Sequence, residues 1–155
     1  MIEPLIASPA MLALNNDHAA QLSQMSADHI TELIGRAFLA VRVGEADALL
    51  LAFDQGADYD SPNFQWFRGR YKRFVYVDRI VVAPHARGRG LARILYEHLF
   101  ERARAAGHDR IVCEVNADPP NPVSDAFHAA LSFSDIGSAL LPSGKRVRYF
   151  EHILL

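Results

Sequence analysis

Between residues 79 and 100 the chain passes from "RIVVAP" through "HARGRG" into "LARILYEHLF". Gly88 and Gly90 let main chain approach a ligand with no Cβ in the way, and a helix starting just beyond them leaves its first N–H groups without intrahelical partners. The positive end of the helix dipole lies there too, and Arg87 and Arg89 add full charges, so the turn suits an anion such as a pyrophosphate. The same residues would also make a plain tight turn with two solvated arginines, and the local pattern alone does not separate these readings. Two other phosphate signatures fail. No Lys followed by Ser or Thr completes a G-x-x-x-x-G-K-[ST] loop, and the dinucleotide fingerprint needs a small residue where Arg93 stands.

The turn needs a strand before it and a helix after it. "FVYVDRIVVAP" is a β-rich run, "GLARILYEHLFERARAAG" an amphipathic helix ended by Gly107, and "DRIVCEV" a second strand, which together make a βαβ unit. Upstream, "MLALNN" (11–16) reads as a short strand. "DHAAQLSQMSADHITELIGRA" then places Leu22, Met25, Ile30, Leu33 and Ile34 at helical spacings, with Asp17 and Ser26 as N-caps, in two helices or one bent one. "FLAVRV" and "ALLLAF" around "GEAD" make an antiparallel hairpin over 37–54. The connection 55–73, "QGADYDSPNFQWFRGRYKR", is long for a compact domain, and Ser61-Pro62 marks a helix start inside it. Downstream, "NPVSDAFHAALSF" is a helix, and "SDIGSALL" and "KRVRYFEHILL" close a hairpin over "PSG". With no repeat and no linker, residues 1–155 form a single domain.

Composition removes several classes of function. A chain of 155 residues, half of them hydrophobic, supports one packed core. The net charge of -2 argues against a nucleic-acid partner, although Arg68, Arg70, Lys72 and Arg73 form a short basic run. Cys113 has no disulfide partner, and the seven histidines show no metal-ligand spacing, so no metal is expected. No run approaches the ~18 apolar residues of a membrane span and no leader pattern opens the chain, so a cytoplasmic protein without membrane attachment is expected.

"RGRGLA" after "IVVAP" resembles the R/Q-x-x-G-x-G/A motif of the GNAT superfamily, the GCN5-related N-acetyltransferases, with Arg87, Gly90 and Ala92 at its defining positions. "NPVSDAFHAALSF" resembles that family's N-x-x-[AS]-x-x-F-Y-x-x-x-G-F helix, with Asn121, Ser124, Phe127 and Phe133 in register. The wording of "LALNN" and "YVDRIVVAP" is similar to a bacterial branch of predicted acetyltransferases. The resemblance implies an α/β (α+β) GNAT fold: one mixed sheet of about seven strands with helices on both faces, splayed between the fourth and fifth strands. Two departures stand out, His128 at the family's Tyr and Ser132 at its later Gly.

The resemblance also implies an N-acetyltransferase that moves an acetyl group from acetyl-CoA to a primary amine of a small molecule or peptide by direct attack. The coenzyme pyrophosphate would lie on Arg87, Gly88, Arg89, Gly90, Leu91 and Ala92, and its pantetheine beside Ile80, Val81 and Val82, with a main-chain N–H near Val82 polarising the thioester carbonyl. Asn121, Ser124 and Phe127 would contact the coenzyme, with helix capping a competing role for Asn121. His128 would stand near the sulfur as acid, or simply pack. Asp78 is the carboxylate nearest the reacting end and a candidate base, with an ion pair to Arg79 as the alternative. Asp58 and Asp60 with Tyr59, Phe64, Trp66 and Phe67 would form an acidic, aromatic mouth for a cationic amine, or would anchor the insertion to the core. Asn15 and Asn16 stay unassigned, and a homodimer is left open. The rival functions are a non-catalytic acetyl-CoA sensor and an RNA-directed acetyltransferase that uses the basic run.

Overall fold

The computed structural model describes residues 1–17, 25–118 and 120–155. Its elements are β1 (Ile2–Pro4), α1 (Pro9–Asp17), α2 (Ala27–Arg36), β2 (Leu39–Val43), β3 (Ala48–Asp54), α3 (Pro62–Arg68), β4 (Val75–Val82), α4 (Leu91–Ala105), β5 (Arg110–Asp118), α5 (Pro122–Ala130), β6 (Ser134–Leu140) and β7 (Arg146–Ile153), with a single 3-10 turn at Pro84–Ala86. The strands form one sheet in the order β1-β2-β3-β4-β5-β7-β6. All neighbours run antiparallel except β4 and β5. This mixed, open sheet is the architecture that the motifs imply.

Strand alternation sends one set of side chains to each face. Leu50, Ala52, Val75 and Val77 join Met11, Leu14, Leu95 and Leu99 of α1 and α4 in one apolar cluster. Leu51, Phe53, Tyr76 and Tyr149 join Ile30, Leu33, Phe64 and Phe67 of α2 and α3 in another. Helices therefore cover both faces.

The segment 11–16 is a helix, where the sequence reading has a strand. Ser8 accepts the Met11 N–H at 3.2 Å and Pro9 opens the helix, while Met, Leu and Ala are strong helix formers with no β-branched residue among them. The edge position goes instead to Ile2–Pro4, which pairs with β2, and Pro4 is tolerated because an edge strand need not donate on its outer side. Ser26 caps α2 through the His29 N–H at 3.2 Å, as its spacing predicts. Asp17 ends α1; the helix expected to follow it, with Leu22, lies outside the described residues. Among the described residues no helix is long and apolar enough to cross a membrane.

β4 and β5 pair in parallel only at Val75↔Ile111 and Tyr76↔Val112, then part. On its other side β4 stays paired with β3 as far as Val82, but Leu51 faces Arg79 while Ala52 faces Val77, so Asp78 is an extra residue in the ladder. A bulge of this kind bends and twists its strand. The result is a wedge that opens toward the C-terminal ends of β4 and β5, with both strands still held on their outer edges.

Candidate active site

One side of the wedge is a groove of about 700 Å³ lined by Ile80, Val81 and Val82 of β4, by the turn into α4, and by α5. Beyond Tyr76 no β5 residue pairs with β4, so every second main-chain N–H and C=O along that edge faces the groove. The turn that follows is built for close approach. Gly88 and Gly90 hold φ of 82° and 72°, and an added Cβ at either would meet no atom within 4 Å. The first intrahelical bond of α4 runs from the Ile94 N–H to the Gly90 carbonyl at 3.1 Å, so the N–H groups of Leu91, Ala92 and Arg93 point outward from the helix end. Arg87 lines the groove. Arg89 does not: its guanidinium lies 3.5 Å from Asp47, which also takes His85 Nε2 at 2.9 Å. The His85 hydrogen bond, with help from Arg89, holds the Asp47 carboxyl below the usual range.

The groove narrows into a chamber of about 120 Å³, and Ile80, Asn121, Ser124 and His128 line both spaces. Pro122 opens α5, and Asn121 caps it by accepting the Ser124 N–H at 3.2 Å. His128, one turn further on, is buried. Its Nδ1 lies 2.7 Å from the Ser124 carbonyl oxygen, which can only accept, so Nδ1 carries the hydrogen. Nε2 is then the acceptor for the Tyr96 hydroxyl of α4, 2.9 Å away. Burial lowers the His128 pKa despite the Ser124 carbonyl, and burial raises that of Tyr96, so the pair is neutral near pH 7.

Two carboxylates face the far side of the chamber. Asp78 is fully engaged: Oδ1 accepts the Tyr59 hydroxyl at 2.6 Å and Oδ2 the Arg79 Nε at 2.8 Å. Arg79 is itself buried and donates from Nη1 to Asn15 Oδ1 of α1 at 2.8 Å. Glu114 of β5 is differently placed. The Tyr76 hydroxyl sits 2.9 and 2.7 Å from its two oxygens, and part of the side chain faces both the chamber and a third cavity. Burial pushes its carboxyl up to about 7, with the Asp78 charge adding to the rise and hydrogen bonds from Tyr76 and Asn63 opposing it. That third cavity, about 570 Å³, lies between α2, residues 59–63 and the turn from β6 to β7, with Asp60, His29 and Lys145 on its walls.

A family model, the acetyltransferase (GNAT) family, matches residues 17–133. The chain belongs to that family. It is therefore an acetyl-CoA-dependent acyltransferase. Solved GNAT structures share the fold over nearly the whole chain. The ribosomal-protein-S18-alanine N-acetyltransferase of Escherichia coli is 18% identical with a TM-score of 0.69, covering 99% of this chain and 93% of that one. An N-acetyltransferase of Staphylococcus aureus Mu50 is 20% identical with a TM-score of 0.71, covering 100% and 98%. The yncA protein of Salmonella typhimurium, solved with its cofactor acetyl-CoA, is 16% identical with a TM-score of 0.71, covering 100% and 94%. Comparison with curated protein sequences finds no match.

Set against the GNAT motifs, the groove gathers Ile80, Val81, Val82, Arg87, Gly88, Gly90, Leu91, Ala92, Asn121, Ser124 and Phe127, and only Arg89 of the expected coenzyme residues lies off its wall. The acceptor side departs further from expectation. Phe64 and Phe67 are buried in the core and Trp66 stacks on Tyr149, which leaves only Tyr59 and Asp60 of the expected mouth on the cavity. Asn15 anchors Arg79, and Asn16 Oδ1 accepts the Met25 N–H at 3.0 Å. The basic run is also engaged, with Arg70 3.9 Å over Trp66 and Arg73 donating to the Ala106 carbonyl at 3.1 Å. Its residues precede β4, at the end of the wedge where β4 and β5 are paired, away from the chamber. Glu114 is the residue that sequence reasoning missed. Its signal was present, because "IVCEV" sets a single carboxylate inside an apolar strand, and such a charge is seldom buried without a purpose.

Proposed function

We propose that this GNAT chain is an N-acetyltransferase that transfers the acetyl group of acetyl-CoA to a primary amine within a ternary complex. The observation that carries the reading is that the chamber at the end of the groove meets the 570 Å³ cavity at Glu114, a carboxyl poised near pH 7. The coenzyme fits the groove by chemistry as well as size. Its pyrophosphate takes the N–H groups and positive dipole of the α4 terminus together with Arg87, and its pantetheine runs along the open edge of Ile80 to Val82 past Ser124 and Phe127. A main-chain N–H at the end of β4 then reaches the thioester carbonyl, the type of fixed donor that elsewhere contributes roughly 3 kcal/mol.

The amine enters through the 570 Å³ cavity and must lose a proton. A lysine-like amine of pKa about 10.4 costs about 4 kcal/mol to deprotonate at neutral pH, an α-amine near 7.8 about 1. Glu114 takes that proton; Asp78, ion-paired with Arg79, sets the local charge instead. His128 presents no N–H to the sulfur as it is held, since Nδ1–H is spent on Ser124 and Nε2 accepts from Tyr96. A thiolate of pKa about 8.5 departs without a strong acid, so His128 and Tyr96 shape the junction in this reading. The sensor alternative would be favoured by an acceptor side filled by the insertion, and the open cavity beside residues 59–63 supports the enzyme reading instead.

The test is coenzyme A release from acetyl-CoA against a panel of amino acids, polyamines and peptides. Transfer to some members and not others is the expected result. A protein that binds acetyl-CoA and leaves the thioester intact across the whole panel would overturn the proposal.

A further inference from the structure

The chamber at the end of the groove and the 570 Å³ cavity share four wall residues, Asp78, Arg79, Glu114 and Asn116. Three of them are engaged with the protein. Asp78 and Arg79 pair at 2.8 Å, and the Tyr76 hydroxyl lies 2.9 and 2.7 Å from the Glu114 oxygens. Asn116 stands apart, because among the described residues nothing hydrogen-bonds its side-chain amide. Its position is nonetheless fixed. It follows Glu114 by two residues on β5 and so shares that residue's face of the sheet. Its main chain is held opposite Val147 of β7, and the register slips only between Asn116 and Asp118. A half-buried amide of this kind loses its water when a ligand fills the cavity, and then costs free energy unless the ligand supplies a partner.

The order of the two side chains says where that partner lies. A substrate whose amine meets Glu114 presents to Asn116 the atoms a few bonds further along β5. A carbonyl oxygen on the carbon next to the amine-bearing one accepts from Nδ2, whereas an alkylamine offers only CH₂ groups and strands the amide. The walls do not favour a polycation. Asp60 and Lys145 face the cavity with opposite charges, and among the described residues neither has an ion-pair partner. Proton affinity agrees with the geometry. The Glu114 carboxyl at about 7 lies within about one unit of a peptide α-amine near 7.8, but more than three units below a lysine-like amine at about 10.4.

Resting on the reading that the amine reaches Glu114 through this cavity, we propose that the acceptor carries an α-amino carbonyl unit and that Asn116 selects it. The amide donates from Nδ2 to the carbonyl oxygen while the amine faces Glu114. Free α-amino acids and peptide N-termini share this unit. In a free amino acid the oxygen belongs to a carboxylate, which Lys145 on the same cavity wall would also attract. Asn116 moves no proton and forms no covalent bond; it sets which amines approach the thioester in the right orientation.

The experiment compares kcat/KM for alaninamide, alanyl-alanine and alanine with that for sec-butylamine, which keeps the branched carbon and lacks the carbonyl. Wild type, Asn116→Ala and Asn116→Leu are measured side by side, so that the ratio between enzymes for one amine cancels that amine's own basicity. Both variants should lose about tenfold on the carbonyl-bearing amines, the weight of one hydrogen bond, and stay within about twofold on sec-butylamine. A loss shared by alaninamide and the dipeptide assigns the unit to a peptide N-terminus. A loss confined to alanine and reproduced by Lys145→Ala assigns it to a free amino acid. Equal losses on all four amines would place Asn116 against the thioester instead and overturn the proposal. Unchanged values would do the same in a variant that binds acetyl-CoA within about twofold of wild type by calorimetry. Wild-type transfer to sec-butylamine or a polyamine, with none to the three carbonyl-bearing amines, would overturn it without any variant. The base reading fails separately: undiminished transfer by Glu114→Gln would sink it and leave the Asn116 ratios to decide selectivity alone.

Discussion

The two sides of the wedge are made of different materials. The groove proposed for the coenzyme is drawn from the short stretch between Ile80 and Arg93, whose open strand edge and helix start offer main-chain groups, with one helix laid beside it. The side proposed for the acceptor brings side-chain polar groups together across sequence separations of 38 residues for Tyr76 and Glu114 and 86 for Asn63 and Tyr149. A main-chain site tolerates exchange of side chains but not of backbone conformation. A side-chain site has the opposite sensitivity, because one lost atom leaves a buried partner unmatched. Substitutions on the two sides should therefore damage different constants.

The largest effect belongs to the acceptor side. Glu114→Gln should lower kcat by about 10²- to 10³-fold, the usual weight of a general base, with acetyl-CoA affinity by calorimetry nearly unaltered. Wild-type kcat/KM should fall with a slope of one as the pH drops below about 7, where Glu114 gains its proton. Equal losses in coenzyme affinity and turnover would erase the proposed division. Stability should move the other way. The folded carboxyl has a pKa raised from 4.5 to about 7, so the folded state holds a proton that the unfolded chain releases. That advantage is present below pH 4.5 and lost as the pH rises through 7. The melting temperature of Glu114→Gln should accordingly match wild type near pH 4.5 and exceed it above pH 7.

On the coenzyme side the sensitive variable is backbone. Gly90→Val forces a branched residue to φ 72°, in a region costing L-residues about 1–2 kcal/mol, and sets a side chain where the anion must come close. Acetyl-CoA should bind about tenfold more weakly, while kcat at saturating coenzyme stays within about twofold, since the strain acts on ground-state binding. Arg89→Ala offers the contrast. That guanidinium lies off the groove against Asp47, and an exposed charge of this sort contributes about 0 to 1 kcal/mol, so coenzyme affinity should fall by about fivefold at most, and less at high salt.

These two materials also explain what could be read in the sequence. Strand, glycine turn and helix are contiguous, so the groove residues were legible down to Ala92, and only the direction of Arg89 was lost, because it depends on Asp47 across a different hairpin. The wedge itself was legible only through the motif resemblance. The segment 11–16 was misread because its apolar run is too short to separate helix from strand, and the deciding features, Ser8 and Pro9, lie before it. Glu114 was passed over in favour of Asp78. Both are lone acids on core strands, and what distinguishes them is that Asp78 is ion-paired with the buried Arg79 guanidinium while the two Glu114 oxygens share the Tyr76 hydroxyl, a fact of tertiary packing.

Gly137→Ala probes the seat of α3 from a distance. The new methyl would meet Trp66 at 2.9 Å, and overpacking of this kind costs about 1–3 kcal/mol. Trp66 can move only by giving up its stack on Tyr149, so thermal stability and turnover should drop together while coenzyme affinity holds. If coenzyme affinity fell in step, the sheet would be transmitting strain across the wedge, and the two sides would be one mechanical unit.

The smallest effect serves as a control on both. Ser132 ends α5 at φ 64°, the conformation glycine adopts most easily, with its N–H bonded to the Ala129 carbonyl at 3.0 Å. Its side chain is exposed and lies on neither the groove nor the acceptor cavity. Ser132→Gly relieves the left-handed strain but gives the unfolded chain more freedom, so the net gain should be about 0.5–1 kcal/mol, or roughly 1–4 °C in Tm for a chain of this size. Coenzyme affinity, turnover and the Glu114 midpoint should all stay fixed. Because α5 carries Asn121, Ser124 and His128 at its other end, a change in any of these constants would mean that the helix terminus sets their placement, and the division between the two sides would then have to include the scaffold that joins them.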